Sequence, residues 1–255
     1  MLYSGTPGLT SSSNTAVFPN KASEQKPEVT ATCSTCAPPS PQVIYAPLFD
    51  VPDAASSEIV LNCRSAHEME VTPTFFTIEG KPIVGAVIHL QPAEIRFVDT
   101  QTLVPALERN RHRWGGMSLS YNGTLMEAWA QLTMKGLRGG SANVFFAVVN
   151  QPRANSIESV WWMPRNAEAF IALGNSSNQS IHASLIFGNG ESQSADIAPF
   201  ATELVRSRGE GLSLSSSDRS RAEAVSINYT GPAGSLIPAG FISSASSKFT
   251  STSLL

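Results

Sequence analysis

The chain has 255 residues, of which 42% are hydrophobic, so it is long enough to bury a sizeable core. Only 15% of its residues are charged, against about 25% in an average soluble domain, and its net charge of −3 argues against nucleic-acid binding. The longest apolar run, Val144 to Val149, is far shorter than the roughly 20 residues that a helix needs to cross a bilayer.

Residues 1–42 form a Ser/Thr/Pro-rich tail whose few apolar residues follow neither the strand period nor the helix period. Such a segment cannot bury enough apolar area to offset the entropy of ordering, so we predict a flexible, disordered tail. The first residues have no basic region and no apolar stretch, so no signal peptide is visible. We expect the chain to be a fragment of a longer extracellular or cell-surface protein.

Three cysteines lie in the first quarter of the chain, Cys33 and Cys36 in the tail and Cys63 beyond it. A zinc site would need a second pair or histidines at defined spacing, so we predict no metal site and no cofactor. The spacing leaves open an unstructured CxxC in the tail, a disulfide within the tail or to Cys63, and a metal or redox role.

From Val43 onward, apolar residues alternate with polar ones and turn residues separate the alternating runs. The clearest run is Ile181, Ala183, Leu185 and Phe187. A period of two over four to eight residues predicts half-buried strands, and strands at this spacing predict a sandwich or barrel. The one helical candidate is a turn or two around residues 103–108.

An internal repeat is the strongest pattern in the sequence. Ser57–Leu61 aligns with Ala169–Leu173, Val71 with Ile181, Gly80 with Gly190, and Glu94-Ile95 with Glu203-Leu204. The best match aligns Arg111-x-Arg113 and Tyr121 with Arg219-x-Arg221 and Tyr229, each 108 residues later. The repeat predicts two domains, at residues 43–152 and 157–255, which open with Val43-Ile-Tyr-Ala-Pro47 and Val160-Trp-Trp-Met-Pro164.

The runs Val43-Ile-Tyr-Ala-Pro-Leu, Ser57-Glu-Ile-Val-Leu-Asn and Val71-x-Pro-Thr-Phe-Phe, the last ending at Gly80, resemble tandem β-sandwich modules of uncharacterised bacterial secreted and surface proteins. The resemblance covers about 210 residues of the chain. It implies an all-β fold with two tandem immunoglobulin-like antiparallel β-sandwich domains preceded by a disordered N-terminal tail. It implies no catalytic residue.

No hydrolase, metalloprotease, phosphate-loop or dinucleotide motif occurs, and none of the four histidines has a ligand-like neighbour at useful spacing. The speculative ligand-binding residues are therefore the repeated arginines and the adjacent tryptophan: Arg111, Arg113, Trp114, Arg219 and Arg221. An arginine side chain binds carboxylate, sulfate or phosphate through two parallel hydrogen bonds, so the repeated loops could form a two-point anion site. The alternative is a solvated loop whose charges suppress edge pairing.

Aromatic residues give two further expectations. The four tryptophans are expected to pack in the core or between domains, with sugar binding as the alternative: Trp114, Trp129, Trp161 and Trp162. Tyr121 and Tyr229 precede matching turns, which resembles the tyrosine corner of sandwich folds.

These features together predict a non-catalytic extracellular or cell-surface structural or adhesion module whose partner is a glycan or another surface protein. The alternative is a module that binds carbohydrate or an acidic polymer. A third reading is an enzyme with a site at the domain junction.

Overall fold

The strands of this protein alternate in burial along their length, as a period of two requires. In Ile181–Phe187, the residues Ile181, Ala183, Leu185 and Phe187 are buried, while His182 and Ile186 are exposed. The structure is a computed structural model. It describes residues 41–49, 54–106, 108, 111–136, 141–149, 154–163, 167–188, 190–206, 221–244 and 249–252.

The described strands form four antiparallel sheets, named A to D here. Sheet A contains β1 (Pro41–Ala46), β3 (Met69–Thr77), β4 (Pro82–Val84), β5 (Ile88–Leu90), β7 (Trp114–Asn122) and β10 (Ala147–Val148). Sheet B contains β2 (Ala54–Cys63), β6 (Ile95–Asp99), β8 (Ala128–Gly136) and β9 (Ser141–Phe145). Sheet C contains β12 (Ala167–Asn175), β15 (Thr202–Arg206), β17 (Leu236–Ser244) and β18 (Phe249–Thr252). Sheet D contains β11 (Ser156–Met163), β13 (Ile181–Phe187), β14 (Ser192–Ile197) and β16 (Arg221–Thr230).

The strand order is β10-β1-β7-β3-β4 in sheet A, where β5 also pairs with β3. It is β6-β2-β8-β9 in sheet B, β15-β12-β17-β18 in sheet C and β11-β16-β13-β14 in sheet D. The protein is therefore all-β with several antiparallel sheets, as the sequence predicted, and this architecture is consistent with a β-sandwich fold.

One short helix, α1 (Thr100–Leu103), follows β6. Asp99 caps it, because its side chain accepts a hydrogen bond from the Gln101 N–H at 2.9 Å. The sequence predicted a helical turn somewhat later, around residues 103–108. The helix ends at Leu103 because Pro105 follows Val104, and a residue before proline is driven to the extended conformation that Val104 adopts.

Two groups of buried side chains hold the sheets together. Sheets A and B enclose the first, which includes Val71, Leu119 and Leu132. Sheets C and D enclose the second, which includes Leu173 and Leu185. The all-β fold thus rests on apolar faces that are removed from water in pairs.

The outer face of sheet C, opposite the core that it shares with sheet D, is covered by the end of sheet A. We call this contact the junction. Ala172 packs into the core of sheets A and B, while its neighbour Ile171 faces the core of sheets C and D. The Phe76 and Phe200 rings stack across the junction with their centroids 5.3 Å apart. A Cβ atom at Gly174 would lie 2.7 Å from the Tyr45 ring, so the close approach requires glycine.

Thr202 fixes the register of the junction with two hydrogen bonds. Its hydroxyl donates to the Pro47 carbonyl at 2.7 Å, and its backbone N–H donates to the Ile78 carbonyl at 3.1 Å. Thr202 is almost fully buried, so each bond contributes about 1 kcal/mol and leaving either carbonyl unpaired would cost more.

Gly80 and Gly190 occupy similar turns with very different surroundings. Both have a positive φ, 92° and 86°, and each N–H donates to the carbonyl three residues earlier, at Thr77 and Phe187. A Cβ atom at Gly80 would overlap the Pro199 carbonyl in the junction. A Cβ atom at Gly190 would meet no described atom within 4 Å.

This contrast yields a stability prediction in which the two glycines control for each other. Gly80→Asn should lower the free energy of unfolding by about 3 kcal/mol or more, because the junction backbone must move. Gly190→Asn should cost only about 1 kcal/mol, which is the strain of placing a side chain at positive φ. Urea denaturation of both variants measures the difference, and equal losses would contradict the assigned packing of Gly80.

Candidate functional site

The arginine loop of the first half is only partly accessible. Arg111 and Arg113 are exposed in the turn before β7. Trp114 is 8% exposed and packs on Phe49 and Phe75, with ring centroids 5.4 and 6.3 Å apart. The tryptophan therefore anchors the loop to the core, and the two arginines are the loop residues that can reach a ligand.

The second predicted arginine pair cannot be placed at a site. Arg219 lies outside the described residues. Arg221 opens β16, where its backbone pairs with Met163, but its side chain is also outside the described residues. The two-point anion site stays a prediction. The same holds for the Cys33–Cys36 pair, whereas Cys63 is a buried, free thiol among the described residues.

A histidine–carboxylate pair braces the arginine loop. His112 Nε2 lies 2.6 Å from Glu108 Oε2, and the His112 ring meets the Trp114 ring edge-on at 5.7 Å. The hydrogen bond from His112 lowers the pKa of Glu108, and the charges of His112, Lys81 and Arg111 lower it further. Glu108 therefore compensates part of the positive charge of the loop, which weakens the attraction of this loop for anions.

Two other histidines pair with carboxylates on exposed strand positions. His182 Nδ1 lies 2.7 Å from Asp196 Oδ1, and His89 Nδ1 lies 3.4 Å from Glu70 Oε1. A catalytic dyad also needs a third group and a site that excludes water. Within the described residues, no group of three or more His, Cys, Asp and Glu side chains is placed to bind a metal ion.

Two tyrosines at matching positions differ in their hydrogen bonding. The Tyr229 hydroxyl accepts a hydrogen bond from the Gly234 N–H at 2.8 Å, which confirms the predicted backbone contact at this position. Tyr121 is buried at the corresponding turn, but its hydroxyl has no hydrogen-bond partner, and burial raises its pKa. Both tyrosines are structural residues of strand ends.

Tyr45 is the buried polar residue closest to the centre of the junction. Its hydroxyl is fully buried with no hydrogen-bond partner, and burial raises the pKa of Tyr45 well above its usual value. The Thr202 hydroxyl opposes this shift but already donates to Pro47. A phenol held in this state stays protonated near neutral pH and cannot serve as a general base there.

The largest accessible apolar feature is the outer face of sheet B, which we call the aromatic face. Its most exposed members are Phe97, Ile95 and Phe145, at 65%, 58% and 50%. The face also contains half-buried side chains on the two central strands: Val60, Asn62, Trp129 and Gln131.

Strand register aligns these side chains in rows. Val60 pairs with Phe97 on one side and with Gln131 on the other, and Gln131 in turn pairs with Phe145. The Trp129 ring lies 5.9 Å from the Phe145 ring. A flat strip of rings with interspersed amides suits a flat partner, such as a sugar ring or another protein surface.

Sequence reasoning identified Trp129 but not Phe97, Ile95 or Phe145. In β6, Ile95 and Phe97 alternate with Arg96 and Val98, so both faces of the strand carry apolar side chains. Alternation alone therefore cannot identify the face that points to solvent.

Comparison of the chain with protein-family models, curated proteins and solved structures finds no match. None of the helices in the described part of the chain is long and apolar enough to span a bilayer.

The loop geometry predicts how one carboxyl group titrates. His112→Ala should raise the pKa of Glu108 towards its ordinary value, because the hydrogen bond from His112 is the main cause of its lowering. In the wild type, the contribution of this contact to stability is present above the ordinary carboxyl pKa and is lost as the pH falls through the lowered one.

Carboxyl-carbon NMR titration measures this effect and includes an internal control. The pKa of Glu94 is also lowered, first by the Gln91 N–H and then by Arg96. Glu94 should titrate unchanged in His112→Ala. An unchanged Glu108 in that variant would contradict the assigned contact.

Proposed function

We propose that this chain is a non-catalytic extracellular or cell-surface structural or adhesion module, built from two immunoglobulin-like β-sandwich units. Sheets A and B form the first unit and sheets C and D the second. Strand pairings in the two units support a duplication, because equivalent strands pair in the same register. In sheet B, Asn62 pairs with Ile95 and Trp129; in sheet C, Gly174 pairs with Thr202 and Ile237.

Unusual backbone conformations also recur at matching positions. Ala93 and Phe200, 107 residues apart, have φ values of 58° and 59°. Met126 and Gly234, 108 residues apart, have φ values of 72° and 74°. Positive φ is uncommon outside glycine, so its recurrence in equivalent turns favours common descent of the two units over independent origin.

The observation that carries the structural role is the packed junction. Domains in tandem usually move relative to one another unless their interface is large and apolar. Here the Phe76–Phe200 stack, the Tyr45–Gly174 contact and the buried Thr202 hydrogen bonds connect the two units. A pair of units held at one angle acts as a spacer that presents its surfaces in a fixed geometry.

Residual dipolar couplings test this rigidity. In the wild-type protein, one alignment tensor should fit the backbone couplings of residues 41–149 and 154–252 together. Gly80→Asn should require two tensors, whereas Gly190→Asn should retain one, because only the first variant disturbs the junction. Two independent tensors in the wild type would overturn the spacer role.

The aromatic face favours carbohydrate binding as a second candidate function, since sugar rings stack on exposed aromatic side chains. Binding to an acidic polymer through Arg111 and Arg113 is the variant of this proposal that the arginine loop supports. The enzymatic alternative at the junction stays a prediction with no supporting cluster among the described residues.

A glycan array that includes sulfated and uronic-acid polymers separates these possibilities. If the aromatic face binds sugar, Phe97→Ser should abolish the signal and salt should leave it largely unchanged. If the arginines dominate, Arg111→Ala with Arg113→Ala should abolish binding, and about 1 M salt should suppress it. Absence of binding across the array would remove the second candidate.

A further inference from the structure

The aromatic face occupies the same position in the first unit as the covered face of sheet C does in the second. This inference rests on the duplication proposed above. The pairings correspond across both sheets: Val60 with Phe97 and Gln131 in sheet B, and Ala172 with Leu204 and Ala239 in sheet C.

The two equivalent faces differ in what covers them. In sheet C, Ala172, Ile237 and Ala239 are buried by the end of the first unit. In sheet B, the described part of the chain leaves Phe97 and Ile95 more than half exposed. One copy of this kind of face is therefore occupied and the other is open.

The end that covers sheet C also has an open counterpart. At the junction, Ile78 accepts a hydrogen bond from Thr202, and Gly80 packs on the chain at Pro199. The equivalent residues of the second unit are Gly188 and Gly190. Gly188 is exposed, and the space that a side chain at Gly190 would enter holds no described atom within 4 Å.

We propose that the aromatic face binds the free end of the second unit of another copy of this chain, so that copies associate head to tail. The contact reproduces the junction between molecules. By the same equivalence, the Ile95 N–H donates to the Gly188 carbonyl of the other copy, as Thr202 donates to Ile78 within one chain. Such a heterologous contact leaves one face and one end open in every dimer and permits longer assemblies.

The intermolecular contact is weaker than the junction. Asn62 stands at the position of Gly174, so no equivalent of the Tyr45–Gly174 close approach forms. Ile95 replaces Thr202 and lacks its side-chain hydrogen bond. Association should therefore be reversible and concentration-dependent, and largely apolar in character, so that salt has little effect on it.

Sedimentation velocity of the full chain over a concentration series tests the proposal. The wild type should form dimers and larger species as its concentration rises. Phe97→Ser should weaken association about tenfold or more, because it removes the most exposed ring of the face. Gly190→Asn should weaken it similarly, because a side chain would occupy the place that is closed at Gly80.

Val84→Ser is the matched control, since Val84 is 62% exposed but lies on β4, away from the aromatic face. It should associate like the wild type. Urea denaturation of each variant shows that loss of association is not loss of folding.

Mixing the two disrupted variants provides the decisive measurement. Phe97→Ser retains an intact end and Gly190→Asn an intact face, so the mixture should form a one-to-one dimer that grows no further. A face-to-face dimer would not be restored by mixing, and that result would overturn the proposal.

A wild-type chain that remains monomeric throughout the series would also overturn it. Glycan binding lost in Phe97→Ser, without self-association, would assign the face to sugar instead. Neither result affects the structural role, which depends on the dipolar couplings of the single chain.

Discussion

Sheet C is the element on which the arrangement depends, because both of its faces are buried. Ile171 and Leu173 line the core shared with sheet D, so the intervening residues meet the first unit. That second contact tolerates only small side chains on β12, namely Ala172 and Gly174, because the Tyr45 ring and Pro47 approach the strand directly. A larger residue at either position would separate the units, and Thr202 would lose both carbonyl partners.

The all-β fold was predictable because each strand carries its own period of two, as Ile181–Phe187 does. Pairing partners were less predictable, because register depends on bulges and loop lengths that alternation does not reveal. The ladders place Tyr45 opposite Ser118 and Glu158 opposite Ser226, so the alignment of the two opening strands was wrong by four residues. A bulge between Phe75 and Thr77 explains a similar slip along β3.

The candidate site was predictable only in part, since the sequence does not show which apolar residues find a partner. Trp114 stands beside two exposed arginines, yet its ring is in the core because Phe49, after β1, packs against it. Phe97 has ordinary strand neighbours and is nevertheless exposed, because no described element packs on the outer face of sheet B. Both outcomes depend on contacts between segments about 50 residues apart or more, which local patterns do not encode.

The composition of the outer faces supports a partner for sheet B. The outer face of sheet D is mostly uncharged and polar, with Ser184, Ser194 and Asn228 in one row, as suits a face in contact with water. A solvated sheet B would be expected to carry similar residues, because exposed rings on a sheet favour aggregation. Its row instead contains Phe97, Val60 and Phe145, at positions whose counterparts in sheet C touch another unit. Retention of large apolar side chains there is more simply explained by a surface that is covered in the working assembly than by one that always faces water.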